Sequence, residues 1–358
     1  RYVLNIFYKV ANFIFTVFIF NIMNITNYNQ PTLLGINNNY AQNSMAFRGH
    51  AGHEILKQGK DVLLLRHETA FFREYNTLNK SVNYIRQHFP KEKSPKIIVG
   101  ACSTGEEALS FKMLMPDKTP KILGFDISPT SVNEAKHSTY TISQPKNTKS
   151  RQFIDNMGID AYKDEYLGFE PNNDKKVTRN QKRLKELFNN TFEERPTDEK
   201  PKKINLIKKA LDFIKSKLSL DIDPDLNTKT FVVKNPKDTG CEFVQGDIQH
   251  LDEIAPKGEA HAISFRNALY HLVTNDILGG AYRETKPRAE AKPILTQVAK
   301  QVNKALTKDG IFILGECENS QLTDTKLLSK VLLENGFKKA VKGKNGYCNI
   351  WAKVKDVE

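Results

Sequence analysis

A chain of 358 residues is long enough for one large domain with insertions or for two domains. The net charge of +13 favours acidic partners in general, yet no basic stripe with interleaved aromatics appears, and nucleic-acid binding is not expected. Cys102, Cys241, Cys317 and Cys348 form no CxxC pair; this excludes a simple zinc site or disulfide framework and fits a reducing, cytoplasmic home.

Residues 1–22, RYVLNIFYKVANFIFTVFIFNI, are the sustained apolar run of the chain. Lys9 and several asparagines interrupt it and no small-residue cleavage site follows, so a dispensable leader outside the fold is expected, without stable membrane insertion. Residues 23–62 read as a polar, turn-rich N-terminal arm, with a helical pattern emerging only near HEILKQ. From residue 63 to 358 the chain reads as one catalytic domain. Residues 69–89 have the spacing of an amphipathic helix, and 95–145 hold two strand and helix units. A lysine-rich insertion at 145–240 breaks the alternation. It shows one amphipathic helix, KINLIKKALDFIKSKL, and no three-strand pattern; DIDPDLNTKTFV within it lacks the glycine and glutamate of a calcium loop and reads as a turn. Strands at CEFVQGD, HAISFRN and GIFILGE then alternate with helices at ILTQVAKQVNKAL and LLSKVLLENG, before a closing hairpin at FKKAVKGKNGYCNIWAKV. Alternation of this kind predicts a mainly parallel α/β sheet with an antiparallel edge.

The chemistry concentrates in IIVGACSTGEEALSF, residues 97–111. A β-branched run enters a turn containing Gly100 and Gly105, and a helix leaves it. In a doubly wound sheet such a junction lies at the carboxyl edge, where glycines let backbone N–H groups approach a ligand. Asp126 closes the next strand, KILGFDIS, where a carboxylate can accept hydrogen bonds from both hydroxyls of a ribose. That pairing suits NAD as well as S-adenosylmethionine. Glu106 and Glu107 separate the two, because adjacent carboxylates at the helix start repel a pyrophosphate but suit a ligand carrying an ammonium and a sulfonium. Cys102 fills a position needing a small residue and is not expected to act as a nucleophile. HAGH at 50–53 has helical spacing without further metal ligands, and no metal site is expected.

ACSTGEEALS resembles the signature of the CheR family, chemotaxis methyltransferases that esterify receptor glutamates with S-adenosylmethionine. TAFFRE, GFDIS, SFRNALYHL and LTKDGIFILGECE resemble further segments of that family in the same order. The resemblance implies a Rossmann-like class I methyltransferase: a mainly parallel seven-stranded sheet with an antiparallel C-terminal strand and helices on both faces. It implies that Thr69 and Arg73 reach over the cofactor, with Arg73 also holding the substrate carboxylate. His67 falls on a family asparagine of the same site. Glu107 would bind the methionine ammonium, Asp126 the ribose, Asp247 and Ile248 the adenine, and Arg266 and Asn267 the methionine end. The family's catalytic tyrosine falls on His271, with Tyr270 one place earlier as the candidate phenol. A monomer acting on a chemoreceptor-like protein that presents a glutamate is the implied setting. A different acceptor, or a module that binds the cofactor without turnover, stays open.

Overall fold

A computed structural model describes residues 52–58, 61–67, 69–145, 183–184, 186–195, 226–235, 239–277, 282–315, 323–342 and 348–357. All of them lie in the compact unit spanning residues 46–358. The leader, the arm up to residue 51 and the helix expected at 203–218 lie outside the described residues. Among the described residues, no helix is long and apolar enough to cross a membrane.

The first described element is a hairpin, β1 (Gly52–Gln58) and β2 (Asp61–His67). HEILKQ is therefore strand, not helix. Its Ile55 and Leu56 are in register with Leu64 and Leu63 in an antiparallel ladder, and an apolar run two residues downstream, across a glycine, lets a short segment gain more by pairing than by coiling. Helix α1 (Tyr75–His88) begins six residues later than the periodicity from residue 69 suggests. Phe72 and Glu74 hold left-handed backbone, with φ of 56° and 50°, which a helix does not accommodate.

The central layer starts with β3 (Lys96–Gly100), α2 (Glu106–Leu114), β4 (Lys121–Asp126) and α3 (Pro129–His137). After β5 (Thr139–Pro145), β6 (Phe192–Arg195) and β7 (Leu226–Val233) come β8 (Cys241–Gln245) and a 3₁₀ turn, Ile248–Glu253. Next stand β9 (Ala260–Phe265), the short α4 (Leu269–Leu272) and a second hairpin, β10 (Thr274–Ile277) with β11 (Tyr282–Thr285). The chain continues through α5 (Arg288–Ala305), β12 (Leu306–Leu314), α6 (Thr325–Glu334), β13 (Phe337–Lys342) and β14 (Cys348–Lys353).

Seven strands form one sheet in the order β13-β14-β12-β9-β3-β4-β8. The pairs among β12, β9, β3, β4 and β8 are parallel, whereas β14 runs antiparallel to both neighbours. This order, with a reversed strand inserted next to the last, is the class I methyltransferase sheet. From β3 the chain moves outward through β4 to β8, then returns to β9 on the other side. The reversal of winding between β3 and β9 is the point at which open α/β sheets bind ligands.

Two apolar layers sandwich the sheet. Ile97, Val99 and Ala262 join the core that includes Leu78, Leu109 and Phe111 from α1 and α2. Ile98, Ile263 and Phe312 join the core that includes Leu295, Val302 and Val331 from α5 and α6. Burial on both faces is why IIVG and AISF read as continuous apolar runs rather than alternating ones.

A three-stranded antiparallel sheet, in the order β5-β7-β6, forms across the insertion: β5 leads into it, and β6 and β7 lie within it. It escapes the sequence because its strands are separated by 46 and by 30 residues, so no local hairpin signal joins them, and β6 spans only four residues. Residues 226–232, expected to be a turn, belong to β7. An aromatic cluster ties this sheet to the TAFFRE segment: the ring of Phe71 lies edge-on to Tyr140, Phe188 and Phe192, at 4.9, 5.2 and 5.1 Å.

Candidate functional site

Three acids stand at the carboxyl ends of neighbouring strands: Glu107 in the first turn after β3, Asp126 at the end of β4 and Asp247 just after β8. The turn between β3 and α2 is fixed to the second of them, since the amide of Ser103 donates to Asp126 Oδ2 at 2.8 Å and that of Ser128 donates to Oδ1 at 2.9 Å. A carboxylate offers about four lone-pair sites, more than these two amides use. Beside it, Ser103 Oγ is buried with no hydrogen-bond partner among the described residues. Asp247 caps the 3₁₀ turn, accepting from the amide of Gln249 at 2.9 Å, and Ile248 next to it is buried.

Behind Glu107 lies a charged network. Arg266, whose side chain is fully buried, bridges two carboxylates: Nη2 donates to Glu107 Oε2 at 2.8 Å and Nη1 reaches Glu74 Oε2 at 3.3 Å. Nη1 also donates to the backbone carbonyl of Arg73 at 2.9 Å. Asn267 Nδ2 donates to Glu74 Oε1 at 2.6 Å, and Ser264 Oγ to Glu107 Oε1 at 2.5 Å. Two strand ends and the TAFFRE segment are thereby tied together, with Arg73 itself half-buried at the junction. Glu74, which is 2% exposed, is a site residue that sequence reasoning missed. Its only signal in the sequence is that it ends TAFFRE.

Backbone strain gathers here as well. Phe72, Glu74, Ala101, Ser103 and Asn267 all hold positive φ, from 48° to 57°. Such residues each cost on the order of 1–3 kcal/mol and persist where the surroundings over-determine them.

Other candidates sit differently from expectation. Glu106 turns inward: it is 5% exposed and its Oε2 accepts from Thr104 Oγ1 at 2.6 Å. Burial raises its pKa to about 7, against opposing hydrogen bonds from Thr104 and Thr69. Only Glu107 of the adjacent pair therefore stands where a cationic ligand can meet it, and the hydroxyl of Thr69 is engaged with Glu106. Gly100 answers to packing, since a Cβ there would lie 2.4 Å from the ring of Phe125 and 2.8 Å from that of Phe265. Gly105, at the N-cap of α2, has φ of 95° and no room for a side chain beside Phe243. His67 closes β2 opposite Gly52. Tyr270 is half-buried in α4, its ring stacked on His271 at 4.2 Å. Cys102 is buried, and burial followed by the nearby Asp126 holds its thiol well above the ordinary range, which removes it as a nucleophile.

The donor set fits S-adenosylmethionine. Acids along the carboxyl edge of the sheet suit the ammonium, the sulfonium and the ribose hydroxyls of that molecule. Residues 67–187 match the family described as CheR methyltransferase, SAM binding domain. No curated protein sequence matches the chain. Among solved structures, the chain is similar to the bifunctional kinase-methyltransferase WbdD, at 9% identity over 78% of this chain and 38% of that one, with a TM-score of 0.36. It is similar to the CurJ carbon methyltransferase, at 11% identity over 78% and 54%, with a TM-score of 0.35. A SAM-dependent methyltransferase from Methanosarcina mazei is 10% identical over 75% and 77%, with a TM-score of 0.25. The chain spans 38% to 54% of the length of the first four structures it matches. The strand order is that of a class I methyltransferase, and the match of residues 67–187 to the CheR methyltransferase SAM-binding domain indicates S-adenosylmethionine as the cofactor.

Proposed function

We propose that this chain is a SAM-dependent methyltransferase of CheR type that methylates a carboxylate on a partner protein, in a cytoplasmic setting. The observation that carries the reading is the row of Glu107, Asp126 and Asp247 along β3, β4 and β8, the first two within the segment that matches the family and the third well after it. In this reading Asp126 holds the ribose, Asp247 and Ile248 border the adenine, and Glu107 meets the methionine ammonium. Arg266 and Asn267 shape the methionine end. When bound, the cofactor supplies a methyl carbon on a positive sulfur; the acceptor oxygen forms the new C–O bond as the C–S pair returns to sulfur.

Nothing else in the reaction needs a proton moved. A glutamate side chain is already an anion at neutral pH, so the site requires no base of tuned pKa. Its task is placement, for which good orientation can lower a barrier by on the order of 7–11 kcal/mol. Arg73 is suited to it, as a guanidinium can hold a carboxylate with two parallel hydrogen bonds. Its backbone is held by Arg266, so the side chain starts from a fixed point. Tyr270 and Thr69 border the same mouth in this reading.

The test is incubation of the purified protein with methyl-labelled cofactor and host lysate. Label on protein that is released by mild base supports the ester. Base-stable label moves the acceptor to nitrogen, sulfur or carbon. Cofactor binding without any label reduces the protein to a binding module.

A further inference from the structure

The Glu107–Arg266 pair poses a difficulty for the proposed cofactor binding. A carboxylate paired with a fully buried guanidinium has its charge cancelled, and a cancelled charge does not draw an ammonium or a sulfonium. Glu74 resolves it. It approaches the same guanidinium from the other side, it is 2% exposed, and Asn267 donates to its remaining oxygen. Two carboxylates and one guanidinium leave a net charge of −1, and Glu107, with 16% of its side chain exposed, is the member of the three that faces solvent.

Resting on that proposed binding mode, we infer that Glu74 is a positioning residue whose charge, acting through Arg266, keeps the Glu107 end of the network acidic and so favours S-adenosylmethionine over its demethylated product. The two ligands share an ammonium and a carboxylate and differ by the sulfonium: the donor carries a net charge of +1 and the product none. A buried charge in low-dielectric surroundings acts strongly on net ligand charge. The negative network therefore holds the donor and releases the product, which has lost the charge that the network recognises.

The second consequence is geometric. Arg266 reaches the carbonyl of Arg73 and Glu74 with the same nitrogen, and Glu74 sits at the N-cap of α1 with φ of 50°. Its carboxylate thereby fixes both the guanidinium and the strained stretch of backbone from which Arg73 projects.

Calorimetric titration of the full chain with each ligand tests this. Glu74→Gln keeps the shape and removes the charge; it is expected to weaken donor binding on the order of tenfold while product binding changes less than about threefold. Glu74→Asp, which keeps the charge, is expected to retain the wild-type ratio of the two affinities. Should Glu74→Gln not fold, Glu74→Asp alone carries the test. Equal weakening of both ligands in Glu74→Gln, or a changed ratio of the two affinities in Glu74→Asp, overturns the inference and leaves the cofactor assignment intact. A wild-type chain that binds neither ligand overturns both.

Discussion

The two edges of the central sheet hold the same kinds of residue to opposite effect. At the amino edge Lys96 pairs with Glu259, and both side chains are nearly half exposed. At the carboxyl edge of the same strands, Arg266 pairs with Glu74 and Glu107 at exposures of 0%, 2% and 16%. The amino edge also has a groove of about 380 Å³ bordered by Lys96, Lys121 and Glu259. What it lacks is a buried pair of opposite charges: Lys353 there is buried, but its partner Asp356 is 87% exposed. The positive-φ positions Ala101, Ser103 and Asn267 follow the carboxyl ends of β3 and β9, where the winding of the sheet reverses. A hollow alone is thus a poor guide to chemistry in this fold; a buried charge network that the core does not require is a better one.

The sharpest way to break this comparison is to remove a cation from each edge. Arg266→Met leaves Glu74 and Glu107 facing each other in a dry site. Losing one partner of a buried ion pair costs roughly 3–5 kcal/mol because the other charge stays buried and uncompensated. Denaturant unfolding is expected to show a loss of that size. A loss below about 1 kcal/mol would mean that the network is wetter than its burial indicates, and the contrast between edges would fail.

A second test stays at the carboxyl edge. Glu106 is held by the hydroxyls of Thr104 and Thr69 rather than by a cation, and burial lifts its pKa from 4.5 to about 7. A carboxyl whose folded pKa is raised binds its proton more tightly folded than unfolded. Its stabilisation is complete below 4.5 and is lost as pH rises towards about 7, an interval equivalent to about 3 kcal/mol. Glu106→Gln removes the titration. Unfolding of the two proteins at pH 4.5 and pH 8 is expected to show the wild type losing about 3 kcal/mol relative to the variant. Parallel stability curves would show that Glu106 ionises freely in the fold.

Glu106 also marks the limit of what the sequence can show. The strand, turn and helix of IIVGACSTGEEALSF and the strand ending in Asp126 were legible, because continuous apolar runs and glycine punctuation are local signals that tertiary structure rarely reverses. The division of labour between two adjacent glutamates was not. Successive helix positions point about 100° apart, and only the packed fold decides which one meets Thr104 and which meets Arg266. Glu74 was hidden for a similar reason: its partners Arg266 and Asn267 lie 192 and 193 residues away. The sheet of β5, β6 and β7 was hidden by distance along the chain, and the strand at HEILKQ by its pairing with the following segment. Gly100 and Gly105 were legible as necessary glycines, but their cause is the rings of Phe125, Phe265 and Phe243 as much as any ligand.

Arg73 sharpens the comparison by separating chemistry from structure within one edge. It is half-buried and meets Arg266 through its backbone carbonyl. Arg73→Ala is expected to lower turnover at least ~100-fold with cofactor affinity changed far less, the pattern of an interaction made mainly in the transition state. Single-turnover rates alongside calorimetry read the two separately. Unchanged turnover would take Arg73 out of the mechanism and return the role of holding the acceptor to another residue at the mouth, with Tyr270 the first to try.

The smallest effect belongs to the amino edge. Lys96→Ala removes the ion pair with Glu259, but each of these side chains already keeps much of its water, and exposed pairs typically contribute 0 to about 1 kcal/mol. The expected change in unfolding free energy is about 0.5 kcal/mol or less, and it should shrink further in about 0.5 M salt, where charges a few ångströms apart are screened. The variant also leaves the amide of Lys96 in place, which keeps its hydrogen bond to His261 Nδ1 at 3.0 Å and so the register of β3 against β9. A loss approaching that of Arg266→Met would mean that burial does not separate the two edges, and that the amino-edge groove is as good a candidate for a ligand as the carboxyl edge.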